Sequence, residues 1–397
     1  MITKAEILEL AGNLSLQQTT VQKDYVIGWV LRAISNHIHL RQWVFKGGTC
    51  LKKCYFETYR FSEDLDFTIP TNQELSPALI KTHLDESITW IEENSGLTFP
   101  RRDWKIDEYK NPRGNTSYQV KISYHGPLGG QVRSLPRVKF DITQDELLVD
   151  APQSRDLQHN FSDAFKPIPQ IRCYSINEIL AEKSRALLER NGRARDIYDV
   201  VNISRNFREQ IKPRRAKEIT HAKFKFKKLP APTVQQIMNA IDKGILKAHW
   251  ENQLSHQISN LPPVETFLYD LEDAIAWWLE PETAKPNPKS MPGATGRIAP
   301  RQWFPTTGHR NQSLLAIELI RHAAHNRQCA SISYDGSTRL IEPYSLRYPP
   351  AGNEILHAWE IEKNGVSTNG HRSFKTNKID SASISNKTFI PKWKIEL

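Results

Sequence analysis

The segment Asp64-Leu65-Asp66-Phe67-Thr68-Ile69 constrains this chain more than any other, because it reads as one short strand with two faces of opposite character. Side chains alternate across a strand, so Leu65, Phe67 and Ile69 point into a core while Asp64 and Asp66 project together from the other face. Pro70 stops the strand. A fold that accepts this segment must back it with apolar layers and leave its acidic face open. Two carboxylates on an open face suit a hard divalent cation, Mg²⁺ or Mn²⁺, which takes oxygen ligands and keeps positions for water and phosphate. A plain acidic strand face is the alternative.

The neighbouring sequence favours the cation. Gly47-Gly48-Thr49 supplies flexible backbone and a hydroxyl at a helix start, where free N–H groups and the positive dipole end attract phosphate. The competing reading is a simple turn ahead of a short helix from Leu51 to Phe56. In Arg137–Thr143, Val138, Phe140 and Ile142 alternate with Lys139, Asp141 and Thr143, which makes Asp141 a third candidate carboxylate, able to bridge cations or take a proton from an attacking hydroxyl. Lys183 lies on the helical stripe Ile176, Leu180, Lys183, Leu187, where an apolar residue is expected. It either snorkels from the core edge or neutralises phosphate oxygens as a point charge. Asp196 and Asp199 open the next helix, where acids also complement the helix dipole.

A chain of 397 residues with 39% hydrophobic content is long enough for two or three cores. Its apolar runs fall far short of the roughly 20 residues of a bilayer span, and Met1–Glu6 lacks the basic, then apolar, pattern of a secretion signal. A cytoplasmic protein, with no membrane association, is expected. Cys50, Cys54, Cys173 and Cys329 show no CxxC spacing and read as packing residues. The formal charge of +10, from 54 basic and 44 acidic residues, favours a polyanionic partner.

Periodicity predicts helices over 21–37, 75–95, Ile176–Arg190 and Ala194 to about Asn206, and strands over Tyr118–Tyr124 and Arg137–Thr143. From Arg208 to Lys228 nine basic residues stand against Glu209 and Glu218, a segment that repels itself unless it meets an anion. Arg214, Arg215, Lys223, Lys225 and Lys227 are its candidate phosphate contacts, with Phe224 and Phe226 available for base stacking; a solvated basic helix is the alternative. Residues 281–312 are Pro-rich and read as a linker. One helix, Ser313–His325, and four strand-like runs, Ala330–Tyr334, Arg339–Arg347, Ile355–Glu362 and Ser373–Ser385, then predict a small, mostly β domain.

Phe45-Lys46-Gly47-Gly48-Thr49, Arg60-Phe61-Ser62-Glu63-Asp64-Leu65-Asp66-Phe67, the acid Asp141, Glu182-Lys183-Ser184-Arg185 and Arg195-Asp196-Ile197-Tyr198-Asp199 together resemble, in kind and order, the AbiEii/AbiGii toxin family of nucleotidyltransferases. Lys23-Asp24-Tyr25 also looks like that family's N-terminal helix. The resemblance spans about residues 15–205. It implies an α+β fold with a DNA polymerase β-type core, and an NTP held by Gly47, Gly48, Thr49 and Ser62. It further implies metal on Asp64 and Asp66, with Asp141 a weaker candidate, Lys183 on the nucleotide and Asp196 in catalysis. Such toxins belong to toxin–antitoxin phage defence, which implies a winged-helix antitoxin and an RNA acceptor, the 3′ end of tRNA. The C-terminal segment resembles a divergent WYL domain, an Sm-like barrel, through Arg339-Leu340-Ile341-Glu342-Pro343-Tyr344 and His371-Arg372-Ser373-Phe374 to Lys378-Ile379. The Trp-Tyr-Leu tripeptide is replaced by Leu356-His357-Ala358-Trp359; Arg339, Arg372 and Lys378 then either line a basic pocket or sit on a solvated face.

The resulting division is a transferase domain at 1–205, a basic helical extension at 206–280, the linker, and a β domain at 313–397. Two other functions fit the same sequence: a nucleic-acid-sensing module with a degenerate catalytic half, and nucleotidylation of a protein or small molecule.

Overall fold

The two apolar-backed segments become the centre of a seven-stranded sheet. In the computed structural model, which describes residues 1–14, 16–56, 59–110, 114–129, 135–208, 210–258, 261, 263–281, 310–347, 355–393 and 395–397, the chain divides into two units, Met1–Ser259 with Pro263–Lys285 and Asn260–Pro262 with Pro286–Leu397. Apart from its two ends, the segment read as a linker lies outside the described residues.

The first unit begins with helices α1 (Lys4–Leu14) and α2 (Gln18–Asn36). Strand β1 (Val44–Lys46), helix α3 (Gly47–Cys50), strand β2 (Asp64–Thr68), helix α4 (Pro77–Ser95) and strands β3 (Lys105–Lys110), β4 (Thr116–Ser123), β5 (Arg137–Thr143), β6 (Gln153–Asp156) and β7 (Gln170–Cys173) follow. Helices α5 (Ile176–Glu189), α6 (Ala194–Phe207), α7 (Pro213–Phe226), α8 (Val234–Ala240), α9 (Lys243–Leu254) and α10 (Val264–Leu279) complete it. The sheet order is β3-β4-β5-β2-β1-β7-β6, with β2 parallel to β5 and β1 parallel to β7. Leu65, Phe67, Val138, Phe140 and Ile142 are fully buried, and each such side chain contributes about 1.5–3 kcal/mol to folding. The short polar strands β3, β6 and β7 carry no sequence signal of their own.

Helix α2 buries far more than the stripe Val26, Val30, Ala33, Ile34, including Thr20, Gln22 and Asp24. Its Lys23-Asp24-Tyr25 segment ties the unit together. Lys23 pairs with Glu63 at 2.7 Å, Asp24 pairs with the buried Lys53 at 2.8 Å, and the Tyr25 hydroxyl donates to Asp163 at 2.8 Å. Helix boundaries follow their caps: Ser76 accepts from Leu79 N ahead of Pro77, Gly96 ends α4 in the left-handed region, and Ser175 accepts from Glu178 N to open α5.

The second unit has helix α11 (Arg310–His325) and strands β8 (Gln328–Tyr334), β9 (Ser337–Arg347), β10 (Ile355–Lys363), β11 (Val366–Lys375) and β12 (Ile379–Thr388). They form an antiparallel sheet, β11-β10-β9-β8-β12, in which the last strand returns beside the first. Ile317, Ile320 and Ala323 of α11 pack on Ile332, Ile341, Leu356 and Phe374. Asp335-Gly336 and Asn364-Gly365, all at positive φ, make the two-residue hairpin turns. The run Ser373–Ser385, expected as one strand, is the end of β11 and the start of β12, separated by a turn at Thr376–Lys378 that contains neither Gly nor Pro. The domain therefore has five strands rather than four.

Candidate active site

The register of β2 against β5 sets Asp66 beside Asp141 and Asp64 beside Lys139. All four lie on the face opposite the buried Leu65, Phe67, Phe140 and Ile142. Three carboxylates from two parallel strands therefore share one space. Gly47, at φ 78°, closes it from β1: a Cβ there would stand 2.3 Å from Asp66 Oδ2, so only glycine lets the carboxylate approach. Burial, reinforced by repulsion from Asp141 and Asp64 and opposed by Lys46, pushes the Asp66 carboxyl up to about 6. Lys139 Nζ lies 2.7 Å from Asp141 Oδ2 and 3.9 Å from Asp64 Oδ1, an ammonium standing where a metal cation fits the same oxygen donors. Gln119 Nε2 donates to Asp141 Oδ1 at 3.1 Å and fixes that side chain.

Helix α3 starts directly from β1, and Lys46 at its N-cap position provides no side-chain cap. The first N–H groups of the helix therefore carry the partial positive charge of its start toward the carboxylates. Gly48 and Thr49 do not sit as the sequence suggests. A Cβ on Gly48 would meet the Arg60 guanidinium at 2.4 Å and Ser62 Oγ at 3.0 Å. Thr49 is fully buried, its hydroxyl donating to the Asp64 carbonyl at 2.5 Å and lying 3.0 Å from Ser62 Oγ. The Thr49 and Ser62 hydroxyls thus lock α3 to β2 and leave only backbone N–H groups of this turn for an anion.

On the helical side, Lys183 of α5 reaches two acids of α6: Nζ lies 2.9 Å from Asp196 Oδ1 and 2.7 Å from Asp199 Oδ2. Burial lowers the Lys183 pKa, but Asp196 and Asp199 outweigh it and hold the ammonium charged. Asp199 is anchored from the other side by Arg60, whose Nε and Nη2 grip its carboxylate at 2.7 and 2.8 Å, and by the Tyr59 hydroxyl at 2.6 Å. Despite burial, which raises it, the Asp199 carboxyl is driven far below the ordinary range by Arg60 and Lys183. Arg60, Asp199 and Lys139 had no assigned role in the sequence reading. Lys139 was detectable there, because it shares the period-2 face of Asp141; the Arg60–Asp199 pair joins distant segments and was not.

The basic segment is a correction. Lys223 is buried, 2.6 Å from Glu178, 3.3 Å from Glu182 and 2.8 Å from the Leu147 carbonyl. Lys227 reaches Glu146 at 3.0 Å and the Asp145 carbonyl at 2.6 Å, and Arg215 reaches Asp150 at 2.8 Å. Phe224 is fully buried, so it offers no ring for stacking. The self-repulsion of this segment is relieved by the chain's own acids on α5 and the loop after β5. Arg214 and Lys225 are exposed. In the second unit Arg339 pairs with the buried Glu360, which Arg372 also approaches at 3.6 Å, and Lys378 lies 3.4 Å from Asp335. Arg339 and Arg372 are thus joined through a shared acid, and Lys378, in the turn between β11 and β12, reaches the Asp335 hairpin turn.

Among the described residues no helix is long and apolar enough to cross a membrane. No curated protein matches the sequence. A solved structure of MenT4, a nucleotidyltransferase toxin from Mycobacterium tuberculosis H37Rv, is similar in fold, with a TM-score of 0.50 at 17% identity over 70% of this chain and 90% of that one. The family described as nucleotidyl transferase AbiEii toxin, type IV toxin–antitoxin system, matches residues 29–280. With residues 29–280 matched, the chain belongs to the AbiEii nucleotidyltransferase toxins.

Proposed function

We propose that this transferase uses a divalent cation to move a nucleoside monophosphate from an NTP to the 3′ end of an RNA, most simply tRNA, as the toxin of a pair with a cytoplasmic winged-helix antitoxin. The observation that carries the reading is the convergence of Asp64, Asp66 and Asp141 on one open sheet face, opposite the uncapped start of α3. Asp64, Asp66 and Asp141 would hold Mg²⁺ or Mn²⁺, which supplies Lewis-acid polarisation of phosphate oxygens. Lys183 neutralises phosphate charge as a point cation, and Asp196 and Asp199 fix its ammonium in position. Asp141 accepts the proton from the attacking hydroxyl. A new bond forms between that oxygen and the α-phosphorus, the bond to the β-phosphate oxygen breaks, and pyrophosphate leaves. The positive charge of the chain and exposed groups such as Arg214 and Lys225 favour a polyanionic acceptor. We assign the second unit, as a WYL-like module, to recognition of a regulatory ligand.

The test is transfer of label from each NTP to total tRNA with Mg²⁺, in wild type and in an Asp64→Ala, Asp66→Ala double variant. Label on tRNA that disappears in the variant is expected. Label on protein instead would transfer the reading to protein nucleotidylation, and no label with any NTP would overturn the proposal.

A further inference from the structure

Behind the glycine turn, three thiols from separate parts of the sequence meet. Cys50 ends α3, Cys54 lies one turn on in the π-helical segment Leu51–Tyr55, and Cys173 ends β7 opposite Phe45 of β1. All three are buried and free, and their Sγ atoms lie within 4.8 Å of one another. From the sequence alone they read as packing residues, since no spacing links Cys50 and Cys54 to Cys173.

A buried cysteine is ordinarily a small hydrophobe. Three features set this group apart. First, the sulfurs converge on one point: a metal about 2.3 Å from each sulfur sets them about 4.0 Å apart in a plane, within the observed spacing. Second, a cavity of about 430 Å³, lined by Cys54, Tyr55, Ser154, Arg155, Asp156 and Gln158, adjoins the group at Cys54. Third, positive charge is at hand, because the Arg155 guanidinium lies 4.1 Å from the Tyr55 ring and its Nε donates to the Cys54 carbonyl at 2.8 Å.

The donors also select the cation. Structural zinc takes four protein ligands, whereas no fourth Cys, His, Asp or Glu joins this group among the described residues. Sulfur-only donors in a set of three favour soft ions that accept low coordination. The other metal-like grouping, His37 with His83 and Glu86, is less suited: His37 Nδ1 accepts from the backbone N–H groups of His39 and Leu40, which leaves its Nε2 as a donor to Glu86.

We propose that Cys50, Cys54 and Cys173 form a trigonal binding site for a soft monovalent d¹⁰ cation of the copper(I) class, beside the cavity at Cys54. Binding releases the thiol protons. Cys50 follows Thr49 directly, so the bound ion would tie the glycine turn to β7 through its sulfurs. The site stands independently of the acceptor proposed above.

The experiment is anaerobic titration of the reduced, full-length protein with copper(I) against a chromophoric competing chelator. A single equivalent taken from the chelator, with thiolate-to-metal charge-transfer absorption, is expected in wild type and in Cys329→Ser, whose thiol is in the second unit. Separate Cys54→Ser and Cys173→Ala variants should lose the competition while keeping wild-type circular dichroism. If one of them misfolds, protection of Cys54 from alkylation by one equivalent of silver(I) in wild type decides the matter. Failure of wild type to take the metal, uptake that survives both substitutions, or alkylation unaffected by silver would each overturn the proposal.

Discussion

Two clusters of charge lie in the same unit and are built on opposite rules. Behind α5, Lys46, Glu146, Glu178, Glu182, Lys223 and Lys227 interleave so that each head meets an opposite charge, with separations from 2.6 to 3.8 Å. On the sheet face, Asp64, Asp66 and Asp141 crowd together, with Lys139 reaching Asp141 and Asp64 and Lys46 offsetting Asp66 only in part. Burial raises the Glu182 carboxyl, but Lys46 and Lys223 outweigh it and bring the group down to about 2; burial also raises the Asp66 carboxyl, and there Lys46 is countered by Asp141 and Asp64, so that group goes up to about 6. A closed set of charges holds elements together. An open set of like charges offers oxygen donors that a cation fits, which marks it as the candidate reactive site.

The contrast breaks most visibly at the open cluster. Asp64→Ala with Asp66→Ala should lower nucleotide transfer on the order of 10³-fold, the scale of losing preorganised electrostatic groups. The thermal midpoint should hold or rise, because like-charge repulsion is removed; a midpoint that collapses with the activity would show these acids to be structural.

At the closed cluster the effects reverse. Lys223→Met strands Glu178 in the interior, leaves Glu182 to Lys46 alone at 3.5 Å and to the field of Arg185, and should reduce unfolding free energy by about 3 kcal/mol, measured by denaturant titration. Transfer activity per folded molecule should be unchanged. The pH dependence sharpens this. Glu182 has a depressed folded-state pKa, so its stabilisation is present above its ordinary value of 4.5 and is lost as pH falls toward about 2. The difference between wild type and Lys223→Met should therefore narrow between pH 4.5 and 2, and a difference that stays constant would remove Glu182 from the account.

The smallest effect belongs to the stand-in ammonium. Lys139→Met should tighten Mn²⁺ binding roughly two- to fivefold, the range of a partly exposed ion pair, as read by calorimetry. Weaker binding would mean that Lys139 assists the cation rather than competes with it.

Much of the candidate site is legible in the sequence because its signal is local. The period-2 faces of Asp64–Ile69 and Arg137–Thr143 place the acids on one side of each strand, and the stripe of α5 exposes Lys183 as an anomaly. The roles of Gly47 and Gly48 were legible only in part. Glycine is required there, yet its Cβ space is filled by Asp66 at one position and by Arg60 and Ser62 at the other. The basic run of 208–228 was legible as charge and misread as surface, since nothing local tells Lys223 that Glu178 lies beneath it.

The sequence by itself determined the alternation, the caps and hairpin turns, and the identity of the acids, because each depends on backbone conformation and neighbours a few residues away. Tertiary structure alone decided which charges are closed and which open, that Asp199 belongs to Arg60, and that Cys50, Cys54 and Cys173 share one point. Those outcomes depend on the separation of side chains from distant segments, and Coulomb interaction, desolvation and ligation all act through that distance.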